Sequence, residues 1–454
     1  MSRYFTYRSL DDLRADVAAR SLDIALEPNF ERLLEPTTIG PRTIGNRLAV
    51  HPMEGCDGML DGRPDELTYR RWERFGAGGA KLIWGEATAV GPEARANPRQ
   101  LLLTDQTAPD FAQLVRIARD AHKSRFGRDD DLLVGLQLTH SGRWSYPQPL
   151  IARHSPTLDP IKRTEHAPLL DDAYLGRLED TYVRAAVLAR NAGFDFVDVK
   201  QCHTYLLNEL LAARDRPGPY GGSLENRTRF VRNVIAKIRA AVGDDLLLAS
   251  RLNAYDGPRY SNDGQPMFDP NDRGFGVDND GAPDMSEPLA LVGMLRDAGV
   301  SMINVTLGSP YFNPHIGRPF ERAPVDGYAP PEHPLVGVAR HFELAAQVQR
   351  AYPDLAVIGT GYSWLRHHAA AAGEANVRDG RIAIMGLGRG ALAYPDFAAD
   401  LRTDNAMHDR KACIGVSYCT ALMRAKNNDL GQFPAGCVPR DPLYADHFKL
   451  ATGR

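Results

Sequence analysis

Three side chains that can hold or move protons lie close together in the segment DVKQCHTYLLNELL, residues 198–211: Lys200, His203 and Tyr205. Such groups can hold a carbonyl or carboxylate oxygen while one of them delivers a proton to carbon. A desolvated lysine can alternatively form a Schiff base with a carbonyl substrate, as in lyases and aldolases. From these residues alone a third interpretation, a polar strand end satisfied within the fold, also stays open.

The segment stands where a buried strand passes into a helix, and this alternation recurs along most of the chain. Short aliphatic runs separated by longer segments with helical periodicity are typical of a parallel sheet covered on both faces. Eight runs predict an α/β fold, a closed (β/α)₈ TIM barrel. The runs are residues 47–53, 81–87, 132–140, 194–200, 246–252, 301–307, 355–361 and 381–389. We expect an N-terminal extension at 1–35, the barrel at 36–405, and a C-terminal tail packed on it at 406–454.

In barrel enzymes the site is built at the carboxyl ends of the strands, so the polar residues that end these runs should face one cavity. Glycine-rich segments, GTG and GLGRG, follow the seventh and eighth runs. Their bare backbone N–H groups can bind a phosphate, and Arg389 would add positive charge. The insert at 255–284, rich in Asp, Gly and Pro, does not fit a calcium loop and is predicted to form a solvated lid over the site.

The composition favours a small-molecule partner. The 54 basic and 57 acidic residues among 454 give a net charge of −3 without long blocks of one sign, so neither nucleic acid nor an anionic membrane is expected as a partner. The sequence shows no apolar run of the ~20 residues that cross a bilayer and no signal-peptide core, which predicts a cytoplasmic location. Five scattered cysteines indicate reduced thiols. The sequence leaves open whether the protein forms a homo-oligomer.

One long segment carries a family resemblance. YLLNELLAARDRPGPYGGSLENRTRF, residues 205–230, resembles the corresponding segment of the Old Yellow Enzyme family, the FMN-dependent NADH:flavin oxidoreductases. Further segments that resemble the family, in the family's order, are IGNRLAVHPM (44–53), GEATAVGPEAR (85–95), LQLTHSGR (136–143) and IMGLGRGALAYPDF (384–397). The resemblance implies FMN across the barrel mouth and NADH or NADPH as co-substrate.

Carried over position by position, the resemblance also implies which residues contact the flavin. Pro52 and Met53 would lie under the ring with Ala87 beside it, and Gln137 would hydrogen-bond the pyrimidine edge. Arg251 would place its positive charge near N1 and the C2 carbonyl, where it favours the reduced anionic flavin. The phosphate would be held by Gly361, Gly388 and Arg389.

The resemblance further implies a reaction. Such enzymes take a hydride from NADH or NADPH and pass it to the β-carbon of an activated alkene. Tyr205 would be the proton donor, and His203 and Lys200 would hold the carbonyl or carboxylate of the substrate. The direction is left open: a dehydrogenase or oxidase that removes hydride from an amine or a C–C bond is the alternative within flavoenzymes. The lyase that uses Lys200 is the alternative of another class.

Three features depart from the family pattern. Lys200 replaces the usual first histidine, which puts the substrate or the direction in doubt. Glu54 stands where a small Thr or Cys usually contacts the flavin, and it is expected either to be protonated and donate to the flavin or to turn to a neighbouring cation. In the tail, Cys413, Cys419 and Cys437 resemble an iron–sulfur segment, but Val416 replaces a required thiolate. We therefore expect no iron–sulfur cluster and no other metal.

Overall fold

The computed structural model describes residues 3–325 and 327–453 and contains a closed parallel barrel of eight strands. Its strands are β1 (Leu48–Val50), β2 (Leu82–Ala89), β3 (Leu133–Thr139), β4 (Phe196–Val199), β5 (Leu247–Tyr255), β6 (Val300–Leu307), β7 (Ala356–Gly359) and β8 (Ile384–Leu387). Each strand falls within or overlaps one of the predicted runs. The predicted (β/α)₈ barrel is confirmed.

Pairing between the first and last strands closes the barrel. Leu48 lies opposite Met385, and Val50 lies opposite Leu387. The interior is filled by large apolar side chains, and the rings of Trp84 and Phe196 meet edge to face with centroids 5.0 Å apart. The neighbouring position must be glycine, because a Cβ on Gly135 would lie 2.2 Å from the Phe196 ring. The barrel is a packed core, as in other barrels of this size.

An outer ring of helices follows the strands in order. They are α1 (Glu66–Ala77), α2 (Ala108–Phe126), α3 (Asp172–Asn191), α4 (Arg229–Val242), α5 (Ser286–Asp297), α6 (Pro334–Ala351), α7 (Ala369–Arg378) and α8 (Phe397–Asp404). Their ends carry ordinary cap residues: the carboxylate of Asp171 accepts a hydrogen bond from the Tyr174 N–H, 2.6 Å away, and Gly127 ends α2 with φ +79°. The helices hold the strands in register from outside.

The hairpin that precedes β1 and the C-terminal tail pack on opposite ends of the barrel. A hairpin of Thr37–Ile39 and Arg42–Ile44 adds its isoleucines to the apolar interior. The tail contains two helices, Tyr418–Arg424 and Pro442–Thr452, and the N–H of Ala435 donates to the Gly55 carbonyl at 2.6 Å, beyond the end of β1. The tail therefore lies at the carboxyl ends of the strands. None of the described helices is both long and apolar enough to span a bilayer.

Candidate active site

A large cavity opens at the carboxyl ends of the barrel strands. It has about 1370 Å³ of empty space, including the solvent at its mouth. All twelve residues that the sequence singled out line it: Pro52, Met53, Glu54, Ala87, Gln137, Lys200, His203, Tyr205, Arg251, Gly361, Gly388 and Arg389. Their positions span residues 52 to 389 of the chain, so only the closed barrel brings them together.

The turn that follows β4 directs the Lys, His and Tyr side chains into this cavity. His203 and Thr204 both adopt left-handed backbone conformations, with φ of +64° and +56°. This conformation costs about 1 kcal/mol or more for each non-glycine residue. It is held by the Asn208 side chain, whose Oδ1 accepts from the Thr204 N–H at 2.6 Å. Backbone strain concentrated at this point is typical of a functional site.

Lys200 is buried, yet its ammonium has no hydrogen bond or ion pair with any residue in the described ranges. The residue is 4% exposed, and Nζ lies 3.8 Å from the centre of the Tyr205 ring. Burial lowers the Lys200 pKa, while the charge of Glu54 opposes that shift. The N–H groups of Nζ are therefore free to donate to an acceptor on a ligand in the cavity.

His203 and Tyr205 are both held in their neutral forms. Burial lowers the His203 pKa well below its ordinary value, and the nearby cations Lys200, Arg251 and Arg389 lower it further. Burial raises the pKa of Tyr205 well above its ordinary value. A neutral imidazole and a neutral phenol can both donate to an oxygen at physiological pH.

Glu54 lies on the cavity floor beside the end of β1. Its Oε1 accepts from the Asn97 side-chain amide and is 3.8 Å from the Cys56 thiol. Burial raises the pKa of Glu54 to about 7, with Lys200 acting in the opposite direction. Near neutral pH both protonation states of this carboxyl are therefore populated. The expectation of a protonated donor and that of an ionised partner for a cation both agree with this environment.

A polar network fixes Gln137 and Arg251 at the centre of the barrel mouth. The buried Asp198 carboxylate accepts from the Gln137 side chain at 2.5 Å, from Trp84 Nε1 at 2.8 Å and from the Arg251 backbone N–H at 2.7 Å. With its amide nitrogen occupied, Gln137 presents its carbonyl oxygen as an acceptor. Arg251 Nε is buried without a hydrogen-bond partner among the described residues.

Glycines at the far end of the cavity leave the backbone bare where neighbouring side chains pack closely. Gly361 has φ +93°, and a Cβ there would lie 2.8 Å from the Cβ of His341. A Cβ on Gly388 would lie 2.9 Å from the Met53 sulfur. Arg389 begins a short helix here, and its Nη1 is buried with no partner in the part of the chain that is described. An orphaned guanidinium beside glycine backbone fits the phosphate of FMN, and the acceptor of Gln137 with the cation of Arg251 fits a flavin ring.

Several lining residues could not be found from the sequence. They come from the segment after β6 and from the tail: Pro310, Tyr311, Pro314, Gly317, Arg318, Pro319, Pro324, Cys419, Thr420, Met423 and Ala435. The predicted lid, residues 255–284, does not line this cavity. Its Asp272 instead accepts from Ser155 Oγ at 2.7 Å and from the Thr157 N–H at 2.8 Å. The insert packs on the segment after β3, so the prediction of an active-site lid is wrong for it.

The tail cysteines lie next to the main cavity. Cys413, Cys419 and Cys437 border one small pocket together with Arg389, and all five cysteines of the chain are free thiols. Val416 borders the same pocket where the family pattern has a thiolate. That no iron–sulfur cluster binds here stays a prediction.

Comparison with known proteins identifies the family of this chain. The model of the NADH:flavin oxidoreductase / NADH oxidase family matches residues 32–275, more than half of the chain. The NADPH dehydrogenase of Bacillus pumilus (strain SAFR-032) is 28% identical over 286 residues, which cover 61% of this chain and 74% of the relative.

Among solved structures, the 2-naphthoyl-CoA reductase complex with 2-naphthoyl-CoA is similar in fold, with a TM-score of 0.67 and 18% identity; the match covers 92% of this chain but 58% of that one. The Old Yellow Enzyme homologue from Zymomonas mobilis has a TM-score of 0.59 and 20% identity, covering 83% of this chain and 94% of the homologue. The chain therefore belongs to the NADH:flavin oxidoreductase / NADH oxidase family and is an FMN-dependent oxidoreductase with NADH or NADPH as co-substrate.

Proposed function

We propose that this protein catalyses the NAD(P)H-dependent reduction of a C=C bond that is activated by a neighbouring carbonyl or carboxylate. The observation that carries the proposal is the convergence of Lys200, His203 and Tyr205 on the cavity that fits FMN. Membership of the flavin oxidoreductase family gives no support to the Schiff-base lyase as the role of Lys200.

The cofactor, when bound, supplies hydride transfer from the nicotinamide to the substrate. We assign Gly361, Gly388 and Arg389 to its phosphate, and Gln137 and Arg251 to the pyrimidine side of its ring. Their orphaned polar groups and glycine backbone support this assignment. Pro52, Met53 and Ala87 line the same cavity and would form the wall against the ring.

Three groups of this chain would act on the substrate itself. Lys200 Nζ and the neutral His203 imidazole donate hydrogen bonds to the activating oxygen, and they stabilise the negative charge that develops there as hydride reaches the β-carbon. The phenol of Tyr205 then gives its proton to the α-carbon. Its raised pKa keeps that proton in place until the carbanion character of the substrate becomes strong enough to take it.

The charge of the cavity favours reduction over oxidation of an amine. Apart from Arg251 and Arg389, which are assigned to the cofactor, the basic side chains Lys200 and Arg318 line it, whereas Glu54 is the one acidic side chain among the described residues that do so. A protonated amine would enter against this charge, because like charges repel at short range in a site of low polarity. An oxygen that gains negative charge is stabilised by the same groups.

The two half-reactions test the proposal separately. Under anaerobic conditions the yellow holoenzyme should be bleached by NADH or NADPH and should regain its colour when an enone or enoate is added. Tyr205→Phe should leave the bleaching nearly unchanged and slow reoxidation by roughly 100-fold or more, as expected for the loss of a general acid. An equal loss in both half-reactions would refute the role of Tyr205. If amines alone bleach the flavin and no enone of a panel reoxidises it, the proposed direction of the reaction, reduction of the substrate, is refuted.

A further inference from the structure

We propose that Tyr311 returns a proton to Tyr205 after each turnover, so that the two phenols form a relay between the substrate and solvent. The inference rests on the proposed function, because it presupposes that Tyr205 gives a proton to carbon. The observation behind it is a direct contact: the two hydroxyl oxygens lie 2.9 Å apart, within hydrogen-bond distance.

Tyr311 is held in place by a stack of aromatic rings. Its ring lies on Trp144 with centroids 3.9 Å apart and planes at 7°. The indole N–H of Trp144 donates to Thr204 Oγ1 at 2.8 Å, in the strained turn between His203 and Tyr205. The loop after β6 and the turn after β4 are therefore linked through one ring, which fixes the distance between the hydroxyls. Contacts that hold the neighbours of a catalytic group, such as these of Trp144, decide how precisely that group is placed.

The two tyrosines differ in their access to solvent. Tyr205 is 4% exposed and lies under the Lys200 ammonium, whereas Tyr311, which lines the same cavity, is only partly buried. A largely covered proton donor can regain its proton through a second, more exposed group in contact with it. Tyr311 is the hydroxyl in contact with Tyr205 that can do this.

The relay moves one proton at a time and no electrons. First the Tyr205 O–H bond breaks as a C–H bond forms at the α-carbon, which leaves a phenolate on Tyr205. The Tyr311 O–H bond then breaks as the Tyr205 O–H bond re-forms, and water restores the proton of Tyr311. While Tyr205 is a phenolate, the hydrogen bond from Tyr311 stabilises its charge.

The charges around the pair agree with this order. Burial raises the pKa of Tyr311 to about 12, with the positive charge of Arg424 acting against that shift. Burial also raises the pKa of Tyr205 well above its ordinary value, and Glu54 and Cys56 lie near both phenols. Both phenols therefore keep their protons at neutral pH, so each is available as a donor.

Tyr311→Phe tests the relay, because it keeps the ring on Trp144 and removes only the hydroxyl. In the holoenzyme we expect bleaching by NAD(P)H at the wild-type rate. We expect steady-state turnover with NAD(P)H and an enone to slow roughly 10-fold, with a larger solvent isotope effect, because Tyr205 must regain its proton in every cycle. Added imidazole, a small proton donor, should restore part of the lost rate in a concentration-dependent way. Tyr352→Phe, at the end of α6 where the hydroxyl donates to the Leu289 carbonyl at 2.7 Å, is the control and should change none of these quantities.

A readout that does not depend on turnover completes the test. In protein labelled with carbon-13 at the tyrosine ring carbon that bears the hydroxyl, Tyr311→Phe should shift the Tyr205 resonance, whereas Tyr352→Phe should not. A wild-type rate of steady-state turnover together with a wild-type solvent isotope effect in Tyr311→Phe would overturn the relay. If the wild-type enzyme is not reoxidised by any activated alkene, the proposed function fails instead, and the relay falls with it even where the resonance shift is seen.

Discussion

The partly buried carboxyl of Glu54 should make the stability of the protein fall between weakly acidic and weakly basic pH. Replacing it by glutamine keeps the shape of the side chain and removes the titration. In the cofactor-free protein the Glu54 pKa is raised from its ordinary value of 4.5 to about 7, chiefly by burial. We expect Glu54→Gln to remove a defined part of the pH dependence of the unfolding free energy.

The size of this effect follows from proton linkage. Between pH 4.5 and about 7 the folded state keeps the Glu54 proton while the unfolded state has released it, so raising the pH over this range disfavours folding. The pKa difference corresponds to roughly 3 kcal/mol. About 2.5 kcal/mol of this should be lost between about pH 5 and about pH 8. Groups that do not interact with Glu54 titrate alike in both proteins, so their contributions cancel in the comparison.

Urea unfolding of the cofactor-free wild type and of Glu54→Gln, at about pH 5 and about pH 8, measures this difference. The wild type should lose about 2.5 kcal/mol more than the variant over that range. Glu73→Gln, on the exposed side of α1, removes the same charge far from the cavity and serves as the control. Equal pH dependence in the wild type and Glu54→Gln would refute the reasoning, because it would mean that burial does not hold the proton on Glu54.

Two further substitutions test the two ends of the cavity. Lys200→Met should weaken binding of a phenolate ligand to the holoenzyme by about 10- to 100-fold, since a hydrogen bond to a charged group contributes about 1.5–3 kcal/mol. Titration of the flavin absorbance measures the Kd. Lys123→Met, at an exposed position, is the matched control. Arg389→Met should raise the Kd for FMN by at least 10-fold through loss of a charge-assisted hydrogen bond. The Kd is measured from the change in flavin fluorescence as the cofactor binds. Arg402→Met, at an exposed position, should leave the Kd unchanged. An unchanged Kd in either test would return that residue to a structural role.

The strands and their ends could be predicted because their signals are local. Aliphatic runs fix the eight strands, and barrel geometry then requires that Gln137, Lys200 and Arg251, which lie toward the carboxyl ends of three of the predicted runs, face one cavity. The same logic does not reach Tyr311 or Met423. They lie on a loop and on the tail, whose paths depend on distant packing such as the ring of Trp144. The insert at 255–284 misleads for the same reason: its composition indicates a loop but not the surface on which the loop lies.

The structure also joins two departures that appear unrelated along the chain. Lys200 and Glu54 each break the family pattern, at positions 146 residues apart, yet both line the floor of one cavity. The charge of each favours the ionised form of the other, against the burial that acts on both. A lysine alone at this depth would tend to lose its proton, and a glutamate alone would keep its own. Together they can hold a positive hydrogen-bond donor beside the substrate near neutral pH. On this argument Glu54 is the group that keeps Lys200 suited to an oxygen-bearing substrate.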